Sequence, residues 1–145
     1  MTIAIASDHG GFALKEYLIN HFANQGIMLE DLGTHSEESC DYPLIADALC
    51  RHVLDGKSEF GILICGTGIG ISIAANRHKG IRAALLYNND VAHLAREHNN
   101  ANVVVFGGRT QKPEDVLQYL QTFMNASFEG GRHQRRIDEL DTIGE

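Results

Sequence analysis

No apolar stretch in the 145-residue chain approaches the ~20 consecutive residues that a membrane-spanning helix needs. The N-terminal run TIAIAS is too short for the apolar core of a signal peptide, and Asp8 and His9 follow it at once. Neither a membrane association nor an exported chain is expected. Cys40, Cys50 and Cys65 form an odd set without Cys-x-x-Cys spacing, which speaks against a disulfide framework and a structural zinc site and for a reducing cytoplasm. The eight histidines include no His-x-x-x-His or His-Glu-x-x-His, so no metal is expected. Basic residues are also in short supply. Twelve Lys and Arg against nineteen Asp and Glu give a formal charge of −7, which argues against nucleic acid as a general partner.

With 43% hydrophobic and 21% charged residues the composition is that of a globular protein, and residues 1–145 are read as one domain large enough for a core. Short apolar runs alternate with helical spacing. Strands are expected over Ile3–Ser7, Ile27–Leu32, Phe60–Ile64, Ile81–Tyr87 and Val103–Phe106. Helices are expected over Phe12–Phe22, from Pro43 to about Leu54, over Ile69–Asn76, Asp90–Glu97, Pro113–Met124 and Arg132–Leu140. Strands this short and apolar, separated by helices, imply an α/β protein with a five-stranded parallel sheet covered on both faces. Ligands of such sheets bind outside the C-terminal strand ends, where the loops Asp8–Gly11 and Cys65–Gly70 fall.

The segment ILICGTGIGISIAANR, residues 62–77, is the most informative. A buried strand delivers the Cys65 thiol to the mouth of a helix, and the glycine loop behind it offers backbone N–H groups to an anion or a developing oxyanion. A thiolate acting beside a negatively charged or enolising substrate fits that order. The loop lacks the Lys-Ser/Thr of a Walker A motif, and Ile71 stands where a phosphatase Cys-x5-Arg loop needs arginine. Ile71 also takes the place of the third glycine of a dinucleotide fingerprint, although Asp90, twenty residues past Gly70, keeps an NAD-binding alternative open. A tight turn with an inert cysteine is the structural alternative.

Three further clusters are candidates. Asp8 either caps the following helix or accepts from ligand hydroxyls, with His9 beside it as a donor to phosphate or hydroxyl. Arg132 and Arg136 share a helix face and can clamp a phosphate or form a solvated charged face, and Arg109 lies just beyond the fifth strand. His98 and Asn99 read as a helix C-terminus and turn. They enter the fifth strand from the N-terminal sheet edge, roughly 15 Å from Cys65. If His98 works with Cys65, a second subunit is the simplest way to bring them together.

The segments SDHGGFALK, CDYP, ILICGTGIGISIAANR, GIRAA, REHNNANV, FGGR and EGGRHQRR occur together in an order that resembles the ribose/galactose isomerase family. This family includes type B ribose-5-phosphate isomerases and allose-6-phosphate and galactose-6-phosphate isomerases. The resemblance runs from Ile3 to about Ile137. It implies a three-layer α/β/α Rossmann-like fold, homodimers or tetramers with active sites shared between subunits, and aldose–ketose isomerisation of a sugar phosphate without metal or other cofactor. By that resemblance Cys65 is the base, Thr67 assists proton movement among the oxygens, and His98 opens the furanose. One branch of the family uses a glutamate where this chain has Ile71, so the chain resembles the thiolate branch. The resemblance further implies that Asp8 handles sugar hydroxyls, while His9, Arg109, Arg132 and Arg136 hold the phosphate. Tyr42 and Asn99 line the sugar, and the amides of Gly66, Gly68, Ile69 and Gly70 face the enediolate. Ribose 5-phosphate and ribulose 5-phosphate are the expected pair. A six-carbon sugar phosphate and a non-catalytic sugar-phosphate-binding module are the alternatives.

Overall fold

In the computed structural model, which describes residues 2–144, five parallel strands lie in the order β2-β1-β3-β5-β4. They are β1 (Ile3–Ser7), β2 (Leu29–Asp31), β3 (Phe60–Cys65), β4 (Ala83–Leu85) and β5 (Val103–Gly107). The helices are α1 (Phe12–Asn24), α2 (Tyr42–Leu54), α3 (Ile69–Ala75), α4 (Asn89–Glu97), α5 (Pro113–Asn125) and α6 (Arg132–Leu140). The two-residue period of the strands sorts their side chains onto two faces. Ile3, Ile5, Phe60, Ile62, Ile64, Val104 and Phe106 share a core with Leu14 and Leu18 of α1, Ala92 of α4, and Val116 and Leu120 of α5. Ala4, Ala6, Leu63, Cys65, Val103 and Val105 face Leu49 and Val53 of α2 and Ile71 of α3. The result is the parallel sheet covered on both faces expected from the alternation, in the three-layer α/β/α Rossmann-like form that the family resemblance implies.

The second face is built from smaller strand residues, and α2 comes close to the sheet there. A Cβ on Gly61 would lie 2.5 Å from Leu49 Cδ2 and 3.2 Å from Val53 Cγ2. On the other side one charge is fully buried. Lys15 Nζ donates to both oxygens of Asp31 at 2.8 and 2.7 Å and lies 5.3 Å from the Phe12 ring centroid. Asp31 Oδ1 also accepts from Gly33 N–H at 2.9 Å, so this pair ties α1 to the end of β2 and to the loop beyond it. A buried ammonium needs such a partner to offset its desolvation.

Two strands are shorter than their apolar runs. Ile27 donates its N–H to Phe22 O, and thereby closes α1 instead of opening β2. At β4, Ile81 N–H turns back to His78 O, and Arg82 N–H goes to the Asn102 side chain at 2.8 Å. Asn76 then accepts from Ala83 N–H at 2.9 Å and donates to Ala83 O at 3.0 Å. An asparagine side chain thus occupies the outer edge of β4, where another strand would pair. Most helix boundaries shift by only one or two residues: α2 begins at Tyr42, and α1 and α5 run to Asn24 and Asn125.

The chain leaves β1 toward β2 on one side, while β3 lies on the other. The crevice between the β1 and β3 loops is therefore a topological switch point, where open α/β sheets receive ligands. Gly61→Ala tests the close approach of α2. Overpacking at this position is expected to cost about 1–3 kcal/mol, read as a lower urea midpoint with an unchanged slope.

Candidate active site

At the switch point three strand-end loops meet backbone to backbone. A Cβ on Gly10 would stand 3.0 Å from Gly66 N, and one on Gly108 would stand 2.5 Å from Gly10 O. Gly108 and Arg109 donate their N–H groups to the carbonyls of Cys65 and Gly66 at 2.8 and 2.9 Å. Glycine is required here because the chains touch, and the contact brings Asp8, Cys65 and Arg109 to one mouth.

Asp8 leaves β1 buried, and its Oδ1 accepts from Gly10 N–H at 2.9 Å and Gly11 N–H at 3.2 Å. The cap that is one of the two alternatives for Asp8 is formed, on a single 3-10 turn over His9–Gly11 that leads into α1. His9 Nδ1 accepts the Cys40 N–H at 3.2 Å, so its Nε2 carries the proton and remains a donor. Cys65 is 4% exposed, and its Sγ accepts the Gly68 N–H at 3.2 Å. That bond depends on Gly68 having φ +83°, a left-handed turn natural to glycine. Thr67 is exposed, and its Oγ1 accepts the Ile69 N–H at 3.2 Å. Two of the loop amides expected to face an anion, those of Gly68 and Ile69, are therefore engaged within the loop by the sulfur and the hydroxyl. Tyr42 closes the side of the mouth, since a Cβ on Gly70 would meet its hydroxyl at 2.9 Å. Arg109 is exposed, and its guanidinium reaches beside Gly66, with Nη1 3.5 Å from a Cβ placed there.

His98, Asn99, Arg132 and Arg136 are elsewhere. His98 ends α4, with its N–H on Leu94 O at 2.9 Å, at the N-terminal edge of the sheet. The ladder pairs Gly61 with Val103 and Cys65 with Gly107, so the two edges are roughly 13 Å apart at ~3.3 Å per step. His98 lines a cavity of about 240 Å3 with Asn99, His133, Arg136, Ile137 and Leu140. Its ring stacks on His133 at 4.1 Å between centroids and 14° between planes. Arg132 Nη1 donates to Glu129 Oε1 at 3.3 Å. The four proposed phosphate ligands thus fall into two groups within one chain, His9 and Arg109 at one edge and Arg132 and Arg136 at the other.

His133 is a residue that sequence reasoning missed. It is buried, and its Nε2 has no hydrogen-bond partner. Burial lowers its pKa from the usual imidazole value, with the charges of Arg132 and His98 acting the same way. Together with Glu129 and His98 it forms a group whose ligand-type atoms all lie within 4.8 Å of one another. The spacing Glu-x-x-x-His in EGGRHQRR is the only local signal of it.

A larger cavity, about 530 Å3, opens between the end of α3 and residues 140–144. It contains none of the Cys65 loop, and two of its basic groups are turned to internal work. His78 bonds Asp47 at 2.7 Å, and the Arg82 guanidinium bonds the carbonyls of Asn99 and Asn100.

The family model described as Ribose/Galactose Isomerase matches residues 3–140. Ribose-5-phosphate isomerase B of Escherichia coli is 43% identical over 141 residues, covering 97% of this chain and 95% of that protein. A crystal structure of a ribose 5-phosphate isomerase from Thermotoga maritima superposes with a TM-score of 0.96 at 51% identity, covering 98% of each chain. Ribose-5-phosphate isomerase B of Clostridium thermocellum gives a TM-score of 0.96 at 43% identity, covering 99% of this chain and 97% of that one.

All three cysteines are unpaired, and their settings differ. Cys50 is wholly buried, and burial with the nearby Asp47 charge pushes its pKa up to about 12. A thiol reagent is expected to modify Cys40 and Cys65 in the native protein and to leave Cys50 untouched. Intact-mass analysis should then show two adducts in buffer and three in denaturing urea.

Proposed function

Because the chain belongs to the ribose/galactose isomerase family, we propose that it is a sugar-phosphate aldose–ketose isomerase that interconverts ribose 5-phosphate and ribulose 5-phosphate. The observation that carries the mechanism is the Cys65 sulfur at the switch-point mouth, held by the Gly68 N–H at 3.2 Å. The loop amide fixes the place of the sulfur, and in this reading that sulfur is the base the reaction needs.

In this reading His98 protonates the ring oxygen and opens the furanose. Cys65 then takes the proton from C2 of the aldose and returns it to C1. Negative charge develops on the enediolate oxygens, and Thr67 moves protons among them. The remaining loop amides, those of Gly66 and Gly70, face that charge. One such donor is worth about 3–4 kcal/mol in the oxyanion holes of acyl transfer. Asp8 is pinned by two backbone amides and accepts from sugar hydroxyls, while Tyr42 and Asn99 line the sugar. His9, with Nε2–H as its donor, joins Arg109, Arg132 and Arg136 on the phosphate.

These roles require Cys65 and His98 at the same sugar, yet the strand ladder keeps them at opposite sheet edges. We therefore assign the two half-sites of one active centre to two subunits, with His98, Asn99, Arg132 and Arg136 of one copy facing the Cys65 mouth of another. Exposed Ile69 and Ile73 of α3 and Tyr87 beyond β4 supply apolar surface for such a contact. A cytoplasmic setting suits three unpaired cysteines, one of them the base. Among the described residues no helix is long and apolar enough to cross a membrane.

In D2O, turnover should wash deuterium into the carbon next to the carbonyl, and Cys65→Ala should abolish both exchange and turnover. Undiminished turnover by Cys65→Ala would remove the thiol from the mechanism. Cys65→Ala and His98→Ala chains should each be inactive alone and recover activity on mixing, because a hybrid pair holds one site with both groups intact. A dimer bearing two such sites recovers at most about half of the wild-type activity per hybrid. Inactivity after subunit exchange, verified by mass spectrometry, would place both groups on one chain.

A further inference from the structure

We propose that His98, His133 and Glu129 form a binding site for one divalent transition-metal ion of the zinc class, and that its occupancy blocks isomerisation. The binding rests on the geometry alone, whereas the block rests on the reading of His98 as the ring-opening group.

Two imidazoles and one carboxylate are a donor set that suits zinc. A tetrahedral zinc ion with bonds of about 2.0–2.2 Å sets its ligand atoms roughly 3.4 Å apart. Here His133 Nε2 stands 3.8 Å from Glu129 Oε1, and all three donors fall within 4.8 Å. The gap between the two arrangements is about an ångström, within reach of side-chain rotation. Two backbone bonds keep the donors together. Glu129 N–H donates to Glu97 O at 2.9 Å, which docks residue 129 beside the end of α4, and His133 N–H donates to Gly130 O at 3.1 Å.

The strongest pointer is His133 itself. Its side chain is 7% exposed, yet Nε2 has no hydrogen-bond partner, a state that buried polar atoms rarely keep without a reason. A 3.8 Å separation from Glu129 is too long for a hydrogen bond. A metal ion between them would satisfy both groups. Burial and neighbouring positive charge also favour the neutral imidazole, the form that ligates.

The present stack sets the cost. With the two rings 14° from parallel, their in-plane lone pairs do not converge, so one ring must turn. His98 is the one able to do so, because its side chain is 35% exposed while His133 is held in the interior. Arg132 competes for Glu129 at 3.3 Å, but its side chain is 57% exposed and can leave to solvent. A metal-bound His98 has given its one lone pair to the metal, and the turn that ligation requires carries its remaining N–H away from where it now stands. His98 and His133 both line the cavity that they share with Arg136.

Zinc ion is added to the intact protein in competition with a chromophoric chelator, using the wild type, His133→Phe, Glu129→Gln and Cys65→Ser. His133→Phe keeps an aromatic ring in the stack, and Glu129→Gln is isosteric on the surface. One equivalent per chain should bind to the wild type and to Cys65→Ser, and binding should weaken at least tenfold in His133→Phe and Glu129→Gln. In turnover assays normalised to each variant's zinc-free rate, the half-inhibitory zinc concentration should rise in those two variants by the same factor. No binding by the wild type, unchanged binding in both His133→Phe and Glu129→Gln, or loss confined to Cys65→Ser would overturn the site. Stoichiometric binding that the two variants weaken, without effect on wild-type turnover, would uphold the site and overturn the block along with the role of His98.

Discussion

The β3–β5 ladder is the constraint from which the rest of the structure follows. Its register pairs Gly61 with Val103 and Cys65 with Gly107, which fixes the length of sheet between the chain's two chemical clusters. Parallel strands all discharge at one edge, so the loops after β1, β3 and β5 converge on Cys65. The segments that enter the strands, including His98 ahead of β5, gather at the other edge. No rotamer change spans roughly 13 Å, because even a long side chain reaches only about half that distance. A reaction that needs a base from one edge and an acid from the other must draw on two chains or move the sheet, and a sheet buried on both faces does not move.

Within the Cys65 mouth, close backbone packing does the positioning. Gly10, Gly66 and Gly108 touch through main-chain atoms, so the loops locate one another without intervening side chains. The sulfur is then oriented by one amide and the Thr67 hydroxyl by another. Such an arrangement is stiff, and stiffness is what a proton transfer between neighbouring carbons asks of its base. It also means that a methyl group added at Gly108 meets a carbonyl oxygen, which cannot yield as the end of a side chain can.

Local pattern made much of this legible. The alternation of apolar runs and helical spacing determined the layers, and the glycines after Cys65 marked the mouth. The position of His98 ahead of a strand is itself enough to place it at the opposite edge. What escaped depended on distant partners. The Lys15–Asp31 pair joins residues sixteen apart, and nothing in the apolar spacing of α1 distinguishes a buried lysine from an exposed one. β2 and β4 are short because backbone groups that an apolar run would commit to a ladder find the Phe22 carbonyl, Asn102 and Asn76 instead. The stack of His98 on His133 needs α6 folded back against the end of α4, a tertiary contact with no periodic signature.

Charge distribution ties the two edges together. The chain carries a formal −7, yet residues 132–136 read RHQRR. Three arginines lie on one short helix of an acidic molecule, with Glu129 and Glu139 beside Arg132 and Arg135, and in the proposed reading this end receives the dianionic phosphate. The Cys65 mouth adds Arg109 and the His9 donor but also the buried Asp8 carboxylate, suited to hydroxyls more than to phosphate. A sugar phosphate lying between two copies would therefore present its phosphate toward the arginines and its hydroxyls toward Asp8, with the carbonyl end left for the sulfur. Glu129 is the counterweight. It pairs with Arg132 at 3.3 Å, so in the proposed reading a dianion on Arg132 would release this carboxylate, which could then take up a cation with His133. Anion and metal ion would thus be coupled through a single side chain, each favouring the other there, since the anion leaves Glu129 to the metal ion and the metal ion leaves Arg132 to the anion.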